Sequence, residues 1–430
     1  MQEHDPLTGG AYELPQPAPK HSGESASAQP RAAAASANGQ RGKNGHRARV
    51  GAARSAALAS AAPKPPVVDV GKTAQPSAQP ARQARLARFR DLLPGGLTRL
   101  NWPLLLLLAL LAGALALRLY GLEWDANQEQ HPDERAIIMA VGNFQWPHSL
   151  SEFLSVQSPL SPHFLQPDFV PFFAYGTFPL YALWLLAQFL NWLQQAFGLH
   201  WIPAGQGSFT DSIHLTLVGR ALSALFDTGT VLVTYLLGRR LSGKKAVGLL
   251  AAAFVAFTPF EVQLAHFFTV DTALTFFIVL ALYAYVGVAQ GGGLGWVVLS
   301  GVATGLALAS KFSALPLLLP LLLAYILYWQ RSEFLLALPR LLISLGAGLL
   351  TFISAMPYAL IDLPDFEAAI KQQSDLTTGT LDFPYVHQFA GTTPYLYELK
   401  NMLFYDLGVP LALLALVGCV VVVRRVWRDW

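Results

Sequence analysis

Six consecutive residues, Gln130-His131-Pro132-Asp133-Glu134-Arg135, gather an imidazole, two adjacent carboxylates and a guanidinium in a chain with only 13% charged residues. Two readings of the run stand side by side. Proline suits a first helical turn and acids there offset the helix dipole, so His131-Pro132-Asp133-Glu134 reads as the start of a short surface helix. One carboxylate can equally take a proton from an acceptor hydroxyl or amine, with its neighbour orienting the acceptor or touching a metal.

A second acid, Asp271, closes the run Gln263-Leu264-Ala265-His266-Phe267-Phe268-Thr269-Val270-Asp271 at the junction of two apolar segments. An ionisable residue at membrane depth is expensive and marks a candidate site; Asp271 also reads as the N-cap of a helix starting at Thr272. Glu261 is a weaker candidate in the same stretch. Lys311, in Ala309-Ser310-Lys311-Phe312, can meet phosphate oxygens or anchor two spans by snorkelling. Arg220 reads as a structural partner for an acid such as Asp227. Tyr385-Val386-His387-Gln388 and Gly391-Thr392-Thr393-Pro394-Tyr395 combine aromatic platforms with hydrogen-bonding groups, as sugar rings require, though an interfacial aromatic belt has the same composition. P-loop, zincin, CxxC and G-x-S-x-G patterns are all absent.

The elements that position these groups are apolar. Hydrophobic residues make up 53% of the 430, and the mean hydropathy is +0.40; a soluble protein carries about 25% charged residues, nearly twice the share here. Runs such as 272–289 and 341–361 are long enough to cross a hydrocarbon core of about 30 Å. They are continuous, without the alternation of a membrane β-barrel. An all-α polytopic membrane protein is expected, with apolar segments near 102–119, 172–198, 213–238, 246–264, 271–289, 296–310, 312–329, 340–360 and 404–423.

Residues 1–85, rich in Ala, Pro, Ser and Gly, read as a disordered basic tail. Residues 86–100 read as a basic amphipathic juxtamembrane segment, and 101–430 as the transmembrane domain. Residues 1–100 hold 14 Lys/Arg against 6 Asp/Glu. That excess, and the absence of an apolar stretch near Met1, place the N-terminus in the cytoplasm without a cleaved leader. The lone Cys419 excludes a disulfide framework. Two large loops, 120–170 and 361–401, then fall outside. One difficulty remains: Asp133 and Asp271 share a face only if an even number of crossings separates them, and three segments lie between. Either 213–238 is two short spans or 172–198 does not fully cross.

The order of these features resembles the C-type glycosyltransferases, in particular the bacterial branch of glycosyltransferase family 39 related to protein O-mannosyltransferases and aminoarabinose transferases. The resemblance rests on the His-Pro-Asp-Glu run after span one, Tyr175-Gly176-Thr177-Phe178-Pro179-Leu180-Tyr181, Gly219-Arg220 through Gly238-Arg239-Arg240-Leu241-Ser242-Gly243, His266 to Asp271, and Gly305 to Ser313. It covers about 101–400. It implies a helical bundle with a large first outer loop, a non-cytoplasmic site, a polyprenyl-phosphate-linked sugar donor, and a protein, lipid or glycan acceptor in the cell envelope. Asp133 would deprotonate the acceptor, with Glu134 and Asp271 assisting, and Lys311 would meet the lipid phosphate. His131, His266, Gln388 and Tyr395 complete the expected substrate contacts. The family varies in metal dependence, so a divalent metal is left open. The chain ends seven residues after its last span, shorter than longer members, which leaves acceptor recognition open.

A transporter or lipid flippase shares the span count, but would favour internal repeats and mid-membrane charges. No repeat is evident, and the acids cluster at span ends. A membrane scaffold without activity would not need the intact acid pair.

Overall fold

The structure is a computed structural model and describes residues 101–126, 128–162, 172–203, 205–330, 334–381 and 383–429. The expected tail and juxtamembrane segment, 1–85 and 86–100, lie outside the described residues. Among the described residues every regular element is helical: α1 (Trp102–Leu119), α2 (Pro132–Gly142), α3 (Leu150–Phe153), α4 (Phe178–Phe197), α5 (Ser212–Ser242), α6 (Lys245–Ala256), α7 (Pro259–Leu264), α8 (Val270–Ala289), α9 (Leu294–Ser310), α10 (Leu318–Trp329), α11 (Phe334–Ala355), α12 (Tyr358–Ile361), α13 (Leu363–Thr377), α14 (Leu396–Asn401) and α15 (Val409–Asp429). A 3-10 turn, Phe312–Leu317, leads into α10. Among them, α1, α5, α8, the continuous stretch Phe312–Trp329 and Leu335–Ala355 are long and apolar enough to cross a membrane. The chain is a multi-pass membrane protein.

At 31 residues, α5 is the longest of the described helices; α1, α2, α4, α6 and α8 pack against it, while α9 and α10 pack on α8 and α11 packs on α9 and α10. No proline interrupts α5, Arg239 and Arg240 complement the dipole in its last turn, and Gly243 ends it in a left-handed conformation (φ 70°). Its tail meets α8 across the bundle, where Arg240 donates to Gln290 and lies 4.1 Å from the Trp296 ring centre. The single segment expected over 246–264 is instead two helices. Pro259 has no N–H to continue α6, so the chain breaks at Phe257-Thr258 and restarts as α7.

The crossing difficulty is resolved by α4. Its first turn adjoins the ends of α9 and α11: the Gly176 N–H donates to Ser310 O (3.0 Å) and the Thr177 hydroxyl to Ala355 O (2.8 Å). Its last turns adjoin the start of α5, since Asn191 accepts from the Phe209 N–H at 2.9 Å. The first turn of α5 in turn bonds Glu129 of the first loop through Ser212. Both ends of α4 therefore sit at one end of the bundle. It lies across that end, burying Leu180, Leu183, Trp184 and Ala187 against Ile137, Ile138 and Val141 of α2 and Leu215 of α5, while Leu185, Phe189 and Trp192 stay exposed. The segment 172–198 does not cross. Only α5 and the α6–α7 pair separate Asp133 from Asp271, and the two acids share an end.

That end is closed by contacts between distant segments. Tyr358 of α12 donates its hydroxyl to Phe153 O at 3.0 Å, joining the first loop to the exit of α11. Gly176 admits the close approach of the Tyr175 segment to α9, because a Cβ there would stand 1.9 Å from Ala309 O.

Candidate functional site

The helix-start reading of His131 to Glu134 and the site reading prove compatible. His131 is the N-cap of α2, Pro132 opens the helix, and Asp133 and Glu134 occupy its first turn. Successive helical positions point about 100° apart, so the two carboxylates diverge. Glu134 joins Ile137, Ile138 and Val141 on the buried stripe, whereas Asp133 is half-buried at the rim.

Glu134 enters a closed network. Arg220, wholly buried, donates Nε to Glu134 Oε1 (2.9 Å) and Nη2 to Oε2 (2.6 Å). The same guanidinium grips Asp125 with two bonds of 2.9 and 2.8 Å and reaches Leu122 O at 2.6 Å. The Phe268 N–H also donates to Glu134 Oε1 at 2.8 Å. Glu134 thus pins the start of α2 to α5 and to the segment before α8, with its oxygens turned away from the rim. The expected Arg220–Asp227 pairing is not formed: Asp227 is bonded instead by Arg118 from α1. Arg118 also donates to Ala114 O and Ala256 O, both at 3.1 Å.

Asp133 instead faces Tyr175: burial, and then the charge and hydrogen-bonding reach of Asp133, push the phenol well above its ordinary range, so it stays a donor. Asp271 and Tyr385 act on the same hydroxyl. The Lys311 ammonium lies 5.7 Å from the Tyr175 ring centre and 3.0 Å from Asp271 Oδ1, with Lys311 and Asp271 each one-third exposed. Asp271 is in the first turn of α8, which begins at Val270 with Thr269 at its cap, so it is free of the capping role. Lys311 sits where α9 ends in extended backbone. A carboxylate with a phenol donor, and a cation held by a second carboxylate, therefore converge at one solvent-reaching rim.

The remaining expected contacts are placed elsewhere. His131 packs its ring 4.6 Å from Phe267. His266 sits between two backbone carbonyls, Val262 O at 2.7 Å and Tyr120 O at 2.9 Å, tying α7 to the end of α1. Tyr395 lines a cavity between α13 and the segment 384–398, which Gln388 does not line. Sequence reasoning missed Asp125 and Arg118 as partners, and quoted Tyr175 only within a motif. Trp124, whose ring centre lies 5.3 Å from the Arg220 guanidinium carbon, was also missed. A divalent metal finds no ready seat: Lys311 engages Asp271, and among the described residues no three His, Cys, Asp or Glu converge on a point.

Glu261 of α7 borders the Arg118–Asp227 pair.

Residues 211–359 match the family model described as dolichyl-phosphate-mannose-protein mannosyltransferase. The resemblance read from the motif order is borne out. The matched stretch carries Arg220, Asp271 and Lys311 and begins after Asp133 and Tyr175. No curated protein matches. Among solved structures, the Saccharomyces cerevisiae protein O-mannosyltransferase Pmt1–Pmt2 complex bound to the sugar donor is similar at 18% identity with a TM-score of 0.44. That match covers 62% of this chain and 34% of the other, so the chain spans about a third of the protein it resembles.

Proposed function

We propose that the chain is a membrane glycosyltransferase moving a sugar from a polyprenyl-phosphate carrier to an acceptor at the rim that holds Asp133. The observation that carries this reading is the convergence of Asp133 and Tyr175 with the Lys311–Asp271 pair. Asp133 takes the proton of an acceptor hydroxyl or amine. The freed oxygen or nitrogen bonds to the anomeric carbon as that carbon's bond to the phosphate oxygen breaks. The electron pair departs with the lipid phosphate, whose charge Lys311 meets. Attack opposite the leaving phosphate inverts the anomeric centre. Asp271 holds Lys311 in place, and Tyr175 fixes the rotamer of Asp133.

The reading is tested by reconstituting the full chain in liposomes with radiolabelled polyprenyl-phosphate sugars and cell-envelope acceptor fractions. Lys311→Gln should raise the KM for the donor by roughly 10–100-fold, the worth of one hydrogen bond to a charged group. An unchanged donor KM removes Lys311 from the phosphate. The orientation belongs to the same proposal: N-terminus cytoplasmic, rim outside, basic turn Arg239 to Lys245 inside. With Cys419 replaced by alanine, an impermeant thiol reagent added outside cells should label Gln128→Cys and spare Lys244→Cys. The reverse pattern would turn the molecule over.

A further inference from the structure

Beyond the acid rim, α13 and the segment 384–398 enclose a cavity of about 700 Å³, a size typical of small-ligand sites. Its wall is largely aromatic, with one imidazole, His387. Tyr385, Phe389, Tyr395 and Tyr397 supply rings, and Gln373, Thr392 and Glu398 supply hydrogen-bonding groups. Among the described residues no lysine or arginine lines it, and Glu398 is its one carboxylate. The nearby Lys371 is already bonded to Asp375.

Tyr395 is the odd residue. Its backbone lies in the left-handed region, φ 64°, which a bulky side chain rarely enters. Its side chain is nonetheless 88% exposed, so burial of the ring does not offset the strain. Strain of this kind collects at ligand clamps. The ring is held out over a wall stiffened by the edge-on contact of Phe389 with Tyr397, centres 5.6 Å apart. Tyr385 connects the two regions, for it lines the cavity and also belongs to the electrostatic surroundings that raise the Tyr175 phenol.

These features select a ligand class. A wall that offers an anion one imidazole, His387, against one carboxylate, Glu398, and no lysine or arginine does not select phosphate or carboxylate, and a single carboxylate does not hold a polycation. A peptide bound by strand addition needs an exposed strand edge, and no strand exists among the described residues. Flat rings with polar tips, beside an amide and hydroxyls, suit a neutral polyhydroxylated ring with an apolar face. We propose that this cavity binds a neutral glycan and that the glycan is the acceptor. The acceptor role rests on the transferase reading above; the binding does not.

The test uses the full chain in lipid nanodiscs and saturation-transfer NMR with four neutral trisaccharides: maltotriose, cellotriose, chitotriose and mannotriose. A neutral Ser/Thr-rich nonapeptide is the comparison. At least one trisaccharide should receive saturation, and Tyr395→Ala should weaken it by about tenfold or more. Tyr397→Ala should act in the same direction, and Trp192→Ala, an exposed ring of α4 that does not line the cavity, should leave binding intact. Tyr395 is exposed, so its variant should fold, and an unchanged melting temperature checks this. Silence from all four sugars at millimolar concentration overturns the site, as does binding indifferent to Tyr395→Ala or capture of the nonapeptide instead. Trisaccharide binding in a chain that transfers no sugar leaves the site standing and removes the transferase reading. Transfer to the peptide without glycan binding does the reverse.

Discussion

Replacing Arg220 by methionine should cost the fold about 3–5 kcal/mol, the usual penalty for stripping one partner from a buried ion cluster. Methionine fills much of the arginine's volume, so little of the loss comes from a cavity. It comes from charge: Asp125 and Glu134, 5% and 0% exposed, would keep their carboxylates in a wall that no longer neutralises them. Leu122 O loses its donor as well. Arg220→Lys should fall between the two, because a point charge cannot serve two carboxylates through a planar fork. Thermal unfolding of the purified variants in detergent gives the order parent, lysine, methionine. A methionine variant as stable as the parent would mean that this ion cluster does not hold the fold together. Because Glu134 adjoins Asp133 in the first turn of α2, the lysine variant should also lose transfer activity beyond its loss of stability.

The same residue marks where the sequence stops being readable. The apolar runs gave the spans to within a few residues, because only a helix satisfies the backbone inside lipid. His131-Pro132-Asp133-Glu134 was legible as a helix start for an equally local reason. Arg220 was assigned to Asp227, seven residues on and on the same helical face. Seven residues are about 10 Å of helix, farther than two such side chains span while both stay packed. The true partners, Asp125 and Glu134, lie 95 and 86 positions away, in an irregular turn and in a short helix whose docking on α5 no local pattern announces. Likewise Lys311 and Asp271, forty residues apart, are joined by a pair of antiparallel helices. Counting crossings predicts that they share an end, but not that they touch. The segment 172–198, whose crossing the sequence left open, is apolar enough to look like a span. What separates lying across an end from crossing is tertiary: hydrogen bonds that tie both ends of the helix to the same end of the bundle.

Asp133→Asn should lower the turnover number by roughly 10²–10⁴-fold, the range that proton removal by a positioned side chain contributes. Donor KM and melting temperature should hardly change. Asparagine keeps the size of the side chain, still offers a carbonyl oxygen to the Tyr175 hydroxyl, and leaves the Glu134–Arg220 network untouched. What it removes is the ability to accept a proton. Asp271→Asn separates the alternatives. If Asp271 serves by holding Lys311 at 3.0 Å, its loss should raise the donor KM, as Lys311→Gln does, rather than reduce turnover alone. Combined with Lys311→Gln it should add little, since residues in contact do not act independently. Tyr175→Phe should give a smaller fall in turnover than Asp133→Asn, because it frees the carboxylate's rotamer without removing the base. Full turnover in Asp133→Asn, with the loss appearing in Asp271→Asn instead, would move the base to the other acid of the rim. The two acids are distinguished by their companions: a phenol donor leaves Asp133 a carboxylate with acceptor capacity to spare, whereas an ammonium neutralises Asp271.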